Sequence, residues 1–97
     1  MNDTIIALQP LADGTPVEGI VGEGHPIGVD VSWCDIQLGV AFQLDELPLI
    51  EIGESQISLS DWPAQCPRYV RRSPELFRAV EEMIDIARAW QPHQFTT

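Results

Sequence analysis

The run Ile36, Leu38, Val40, Phe42 and Leu44 alternates with Gln37, Gly39, Ala41 and Gln43, the two-residue period of a strand with one buried face. Ile27, Val29, Val31 and Trp33 alternate just as regularly, but on odd numbers. The change of parity between Trp33 and Ile36 fits a hairpin with a two-residue turn at Cys34-Asp35. Such a hairpin pairs Trp33 with Ile36, Val31 with Leu38, Val29 with Val40 and Ile27 with Phe42, holding every apolar side chain on one face. Cys-Asp is not the Asn-Gly or Asp-Gly that tight turns prefer, and a bulge in one long bent strand would produce the same shift.

Upstream, residues 4–11 and 15–21 flank Asp13-Gly14, a stronger hairpin signal, with Pro10 and Pro16 marking edge or terminal positions because they cannot donate to a ladder. Downstream, residues 49–52 and 56–60 flank Gly53-Glu54-Ser55, with Ile50, Ile52, Ile57 and Leu59 as the inward set. The first two thirds of the chain therefore read as an antiparallel meander of about five or six strands with one apolar face to be covered. The cover is predicted at 74–90. Ser73 suits the N-cap, Pro74 the first helical position and Glu75 the positive end of the helix dipole, while Pro92 limits extension beyond Gln91. Phe77, Val80, Ile84, Ala87 and Trp90 recur at spacings of three and four, widened by Leu76 and Met83. Residues 61–73, with Pro63, Pro67 and three arginines, read as an ordered crossover with room for a helical turn after Ser60. The expectation is an α+β fold in a single domain covering residues 1–97.

Charge adds a second pattern to the first. Residues 1–67 hold eleven carboxylates and no Lys or Arg, whereas Arg68, Arg71, Arg72, Arg78 and Arg88 all follow, and the net charge is −10. A surface of that sign repels nucleic-acid phosphates and anionic lipid, so direct nucleic-acid or membrane binding is not expected. Hydrophobic content of 44% keeps the chain in the globular range despite the charge. No run approaches the ~18 apolar residues of a membrane span. The Met-Asn-Asp-Thr start has neither the basic nor the apolar region of a secretory signal. A cytoplasmic location follows as the expectation, with Cys34 and Cys66 as packed thiols rather than a bridge.

Residue types that carry chemistry are present, but their spacing is wrong for it. His25, Cys34, Cys66 and His93 lack the paired local spacing of zinc ligands, and Asp30 with Asp35 does not open a calcium loop. Cys34, His25 and Asp35 could be arranged as thiol, base and orienter. Neighbouring acids raise a thiol pKa, however, where a reactive thiolate needs a cationic setting. Gly19, Gly22 and Gly24 stand in the wrong order for a phosphate loop, and Glu23 would repel a phosphate. Arg68, Tyr69, Arg71 and Arg72 suit internal pairing or a protein interface better than nucleic acid in a chain this acidic. Neither metal, cofactor nor enzymatic activity is expected.

What remains is the placement of the acids. On strands that run up and down, the outward face is polar with only Asp30 and Glu51 charged, and the charge gathers in the turns. Glu23, Asp45, Glu46 and Asp61 fall at one end, with Asp13, Asp35 and Glu54 at the other. The expected function is a small acidic protein-binding module docking on a basic, even nucleic-acid-binding, surface of a protein partner through Glu23, Asp45, Glu46 and Asp61, with Trp62 as an apolar anchor. In size and charge, though in no motif, the chain is similar to small acidic inhibitors such as phage anti-restriction and anti-CRISPR proteins and toxin-immunity proteins. The alternative is an assembly subunit, homodimers included, in which the acidic rim of one copy meets the arginine-bearing crossover of another.

Overall fold

A computed structural model describes residues 3–96. Six strands form one antiparallel sheet in sequence order: β1 (Asp3–Ala7), β2 (Glu18–Gly22), β3 (His25–Trp33), β4 (Ile36–Gln43), β5 (Glu46–Ile52) and β6 (Ser55–Ser58). A 3₁₀ turn (Leu59–Asp61), a four-residue helix α1 (Arg68–Arg71), the long helix α2 (Pro74–Trp90) and a last 3₁₀ turn (Pro92–Phe95) follow. The fold is α+β. Among the described residues, no helix is long and apolar enough to cross a membrane.

The parity change at residues 34 and 35 is a turn. Cys34 and Asp35 both take positive φ, 46° and 66°, the backbone a two-residue hairpin needs, which Asp tolerates and Cys adopts at a cost. Trp33 then pairs with Ile36, Val31 with Leu38 and Val29 with Val40. The expected pairing of Ile27 with Phe42 is not part of this ladder. A register shift between β2 and β3, where Ile20 faces Gly28 but Val21 faces Pro26, leaves Ile27 in a bulge and 44% exposed. Leu44 also departs from its alternation: it follows the end of β4, at the tip of a turn with Asp45, and is 88% exposed. The first hairpin is shorter than expected, because residues 8–17 form a loop that folds Leu11 and Val17 into the core. Leu8 continues the strand pairing by donating to the Val17 carbonyl at 2.9 Å.

One cross-strand row shows how the core is made: Gly19, Val29, Val40, Ile50 and Ile57 face one another in turn on the helix side. Helix α2 lays Leu76, Ala79, Val80, Met83, Ile84 and Ala87 onto that side, all buried. Ser73 caps the helix, accepting from the Leu76 amide at 3.3 Å. Such a cap contributes about 1 kcal/mol, whereas each large apolar side chain fully buried contributes ~1.5–3 kcal/mol, so packing rather than capping fixes the helix. At its far end the Trp90 ring lies on Gly19, where a Cβ would come within 2.7 Å of it. Both cysteines are free. Cys66 is buried as expected, but Cys34 at its turn tip is exposed rather than packed.

Candidate functional site

The up-and-down course of the strands gives the sheet two ends. The β2–β3 turn (Glu23-Gly24), the β4–β5 turn (Leu44-Asp45) and the exit from β6 (Leu59–Asp61) share one of them. Glu23, Asp45, Glu46 and Asp61 are all exposed there. Asp3 joins them because β1 begins opposite Gly22, a member that reading the strand from Thr4 had left out. Adjacent turns at this end are two strand spacings apart, roughly 10 Å, comparable to the ~8 Å screening length at physiological salt. Their potentials therefore overlap. Among the described residues, none of these carboxylates is held by an ion pair, since the single salt bridge joins Arg88 to Asp85 at 3.5 Å.

Two of these acids occupy left-handed backbone, at a cost for Glu23 that Asp45 largely escapes. Glu23 and Asp45 have φ of 52° and 61°, a left-handed conformation in which an L-residue other than Gly, Asn or Asp is disfavoured by ~1–2 kcal/mol. Beside them, His25, Phe42, Leu44, Asp45, Glu46 and His93 contribute to the walls of a groove of about 670 Å³. Phe42, in its lining, packs 6.1 Å from the Trp90 ring and 6.2 Å, edge-on, from Phe95. The Arg88 guanidinium sits 5.0 Å over Phe95. A lining that combines Phe42 and Leu44 with Asp45 and Glu46 can take the aliphatic stem and charged head of a Lys or Arg side chain. Leu44 projects beside it.

Trp62 is placed differently. It is half-buried, stacks on Phe77 at 5.3 Å, and donates its indole N–H to Glu81, following which comes a cis bond to Pro63. Its side chain is thus engaged by its own chain, and Leu44, 88% exposed, is the most exposed large apolar group among the described residues.

At the opposite end Asp13 is built into the fold, while Asp35 and Glu54 are exposed in their turns. Asp13 accepts the Thr15 amide at 2.9 Å and the Trp33 indole N–H at 3.1 Å. Bonding from the Thr15 side chain first, then its amide, and from the Trp33 indole holds the Asp13 carboxyl below its ordinary pKa. Glu82 of α2 accepts the Ala12 amide at 2.9 Å and ties the same loop to the helix. The arginine-bearing crossover also reaches this end, because Tyr69 of α1 donates to the Ile52 carbonyl at 2.9 Å. Arg71 donates to the Ala64 carbonyl, and Arg78 lines a small cleft with Asp13, Trp33 and Glu75. Next to Arg71, burial pushes the Cys66 thiol up in pKa. The arginines of α1 and Arg78 thus stand at the end opposite Asp45, whereas Arg88 lies over Phe95 beside the groove.

The open face of the sheet carries more charge than the alternation predicts. Glu18, Asp30, Gly39 and Glu51 face one another in a single row, and a Cβ at Gly39 would lie 3.0 Å from Glu51 Oε1 and 3.6 Å from Asp30 Oδ1. Gln56 donates to the other Glu51 oxygen at 3.1 Å. Glu18 was not visible as a member because its face depends on the β2–β3 register. No group of three or more His, Cys, Asp or Glu side chains among the described residues is arranged to hold a metal ion. Comparison with protein-family models, with curated proteins and with solved structures finds no match for the chain.

Proposed function

We propose that the protein is a binding module, not an enzyme, that docks its acidic end on a basic surface of a protein partner in the cytoplasm. The observation that carries this reading is the gathering of Asp3, Glu23, Asp45, Glu46 and Asp61 at one end of the sheet, unpaired and beside the projecting Leu44. Overlapping carboxylate potentials speed encounter with a cationic surface, and they imitate phosphates toward a protein that binds nucleic acid. An exposed leucine in the middle of such a rim supplies the apolar contact that charge alone does not. The groove lined by Phe42, Asp45 and Glu46 suits an inserted Lys or Arg side chain. This is the design expected of a small bacterial or phage inhibitor of the anti-restriction, anti-CRISPR or toxin-immunity kind. It leaves no role for direct contact with nucleic acid or membrane.

The test is capture of partners on immobilised protein at ~50 mM and ~500 mM salt, the range over which screening removes exposed charge interactions. A partner held at low salt and released at high salt, and lost on replacing Asp45 and Glu46 with lysine, is the expected result. Capture indifferent to both changes would overturn the acidic interface.

A second reading has one observation in its favour: Arg68, Arg71 and Arg72 lie by α1 at the end opposite the acids. Copies could then assemble head to tail, acid end to arginine end. Such an assembly weakens as salt rises, and light scattering at low salt detects it.

A further inference from the structure

We propose that β1 is a dimerisation strand, pairing antiparallel with β1 of a second copy about a two-fold axis through Ile5. The argument starts from the hydrogen-bonding parity of the strand. Leu8 donates to Val17 across the β1–β2 register, so Leu8, Ile6 and Thr4 point their backbone groups at β2. Asp3, Ile5 and Ala7 point theirs outward, where nothing among the described residues pairs with them. All five residues of the strand are exposed. It holds three β-branched residues in succession and no Pro, Lys or Arg, and its ladder with β2 has no bulge, so of the features that protect a sheet edge it keeps only its shortness and Asp3.

The strand is complementary to itself. With the axis at Ile5, the two Ile5 residues exchange both backbone hydrogen bonds, and Asp3 of each copy pairs with Ala7 of the other. Asp3, the one charged residue of the strand, thus meets an alanine and not another acid. On the open face the Ile5 side chains, 55% exposed, meet each other. On the helix face Ile6, 39% exposed, meets Thr4 of the second copy. The pairing also joins two apolar rows, since Ile5, Ile20, Gly28, Ala41 and Leu49 face one another across each sheet. The result is a continuous twelve-strand sheet, its number of strands being twice the six of one copy. The acidic ends of the two copies then lie on opposite sides of the assembly, because the two strands run antiparallel.

Two copies at −10 each repel, so this dimer strengthens as salt rises, the reverse of a head-to-tail contact or an acid-to-base interface. Sedimentation over a range of protein concentrations at ~50 mM and ~500 mM salt is the experiment. The expected result is a monomer–dimer equilibrium with more dimer at high salt. Ile5→Pro removes only an outward N–H and leaves the β1–β2 ladder intact. It is expected to weaken the dimer about 10- to 100-fold, the equivalent of the two hydrogen bonds between the Ile5 residues, with an unchanged circular dichroism spectrum. Amide exchange on the unaltered protein provides an independent reading. The Ile5 and Ala7 amides gain protection with concentration, while the Ile6 amide is protected throughout. A protein that stays monomeric at both salts, a dimer that survives Ile5→Pro, or Ile5 and Ala7 amides that exchange alike at all concentrations would each overturn the proposal. A monomer would leave the edge open to a strand of another protein.

Discussion

The two ends of the sheet use the same side chain for different purposes. At the Asp13 end a carboxylate is placed between the Thr15 amide and the Trp33 indole, and Glu82 holds the loop from the helix side. Asp35 and Glu54 are exposed there too, but they share that end with the arginines of α1 and with Arg78. At the Asp45 end the carboxylates are exposed and unpaired, and two of them sit on left-handed backbone. The nine residues of β3 separate these ends by roughly 30 Å, several screening lengths at physiological salt. Each end is therefore electrostatically on its own. What the contrast teaches is that net charge says little about where charge is used: an acid engaged in the fold stabilises it, and an idle one is available to a partner.

The sharpest way to break this comparison is to reverse the charge at each end. Replacing Asp45 and Glu46 with lysine is expected to weaken partner binding by ~100-fold or more, since like charges then face a basic surface. Stability in thermal unfolding should fall by no more than about 1–2 kcal/mol, the cost of lysine on the left-handed backbone at position 45. A large loss of stability would mean that the acid end is structural after all. Asp13→Ala is the mirror experiment. It should lower the melting temperature by a few degrees, through loss of the Thr15 and Trp33 bonds, and leave binding unaltered.

A smaller and more discriminating effect comes from glycine at the left-handed positions. Glu23→Gly relieves a left-handed residue and should stabilise the fold by about 1 kcal/mol, while weakening partner capture; Asp45→Gly, at a position Asp already tolerates, should weaken capture with little change in stability. A substitution that improves folding and impairs binding separates the two uses of an acid in one measurement. The smallest effect is that of pH on Asp13. Its folded pKa lies below its ordinary value of 3.8, so its contribution is fully present above that value and is lost as pH falls through the depressed one. The stability gap between the protein and Asp13→Ala should stay constant from neutral pH down to about 5 and then close in stronger acid. A gap that closed near neutral pH would point to another group.

Most of the architecture was legible because it depends on periodicity and on a few punctuating residues. Trp33, Ile36 and their neighbours carry a pattern that changes sign once, and the turn lies where it changes. Ser73, Pro74 and Pro92 delimit a helix whose observed bounds, Pro74–Trp90, agree with expectation. The gathering of Glu23, Asp45, Glu46 and Asp61 at one end followed from counting strands, and needed no tertiary information. The misplacements share a cause, which is that local alternation does not know where pairing stops. Leu44 continues the pattern of β4 by one step and yet stands beyond its last pair. Ile27 keeps the parity of β3 but falls in the bulge opposite β2. Glu18 faces Asp30 only through a register that no local pattern encodes. Trp62 in a proline-rich loop reads as an apolar anchor for a partner, and the groups it meets in its own chain, Phe77 and Glu81, lie on a helix more than a dozen residues away.

The order of the meander has a consequence for how the chain is made. Each strand pairs with the one before it, so hydrogen bonding in the sheet can be completed hairpin by hairpin as the chain emerges from the ribosome. The cover is encoded last. Val29, Val31, Val40, Ile50 and Ile52 must wait for residues 74–90 to be synthesised before their face is shielded from water. A nascent chain arrested before α2 would present that face bare, and such an intermediate should be a better ligand for chaperones than either the first hairpin or the finished protein.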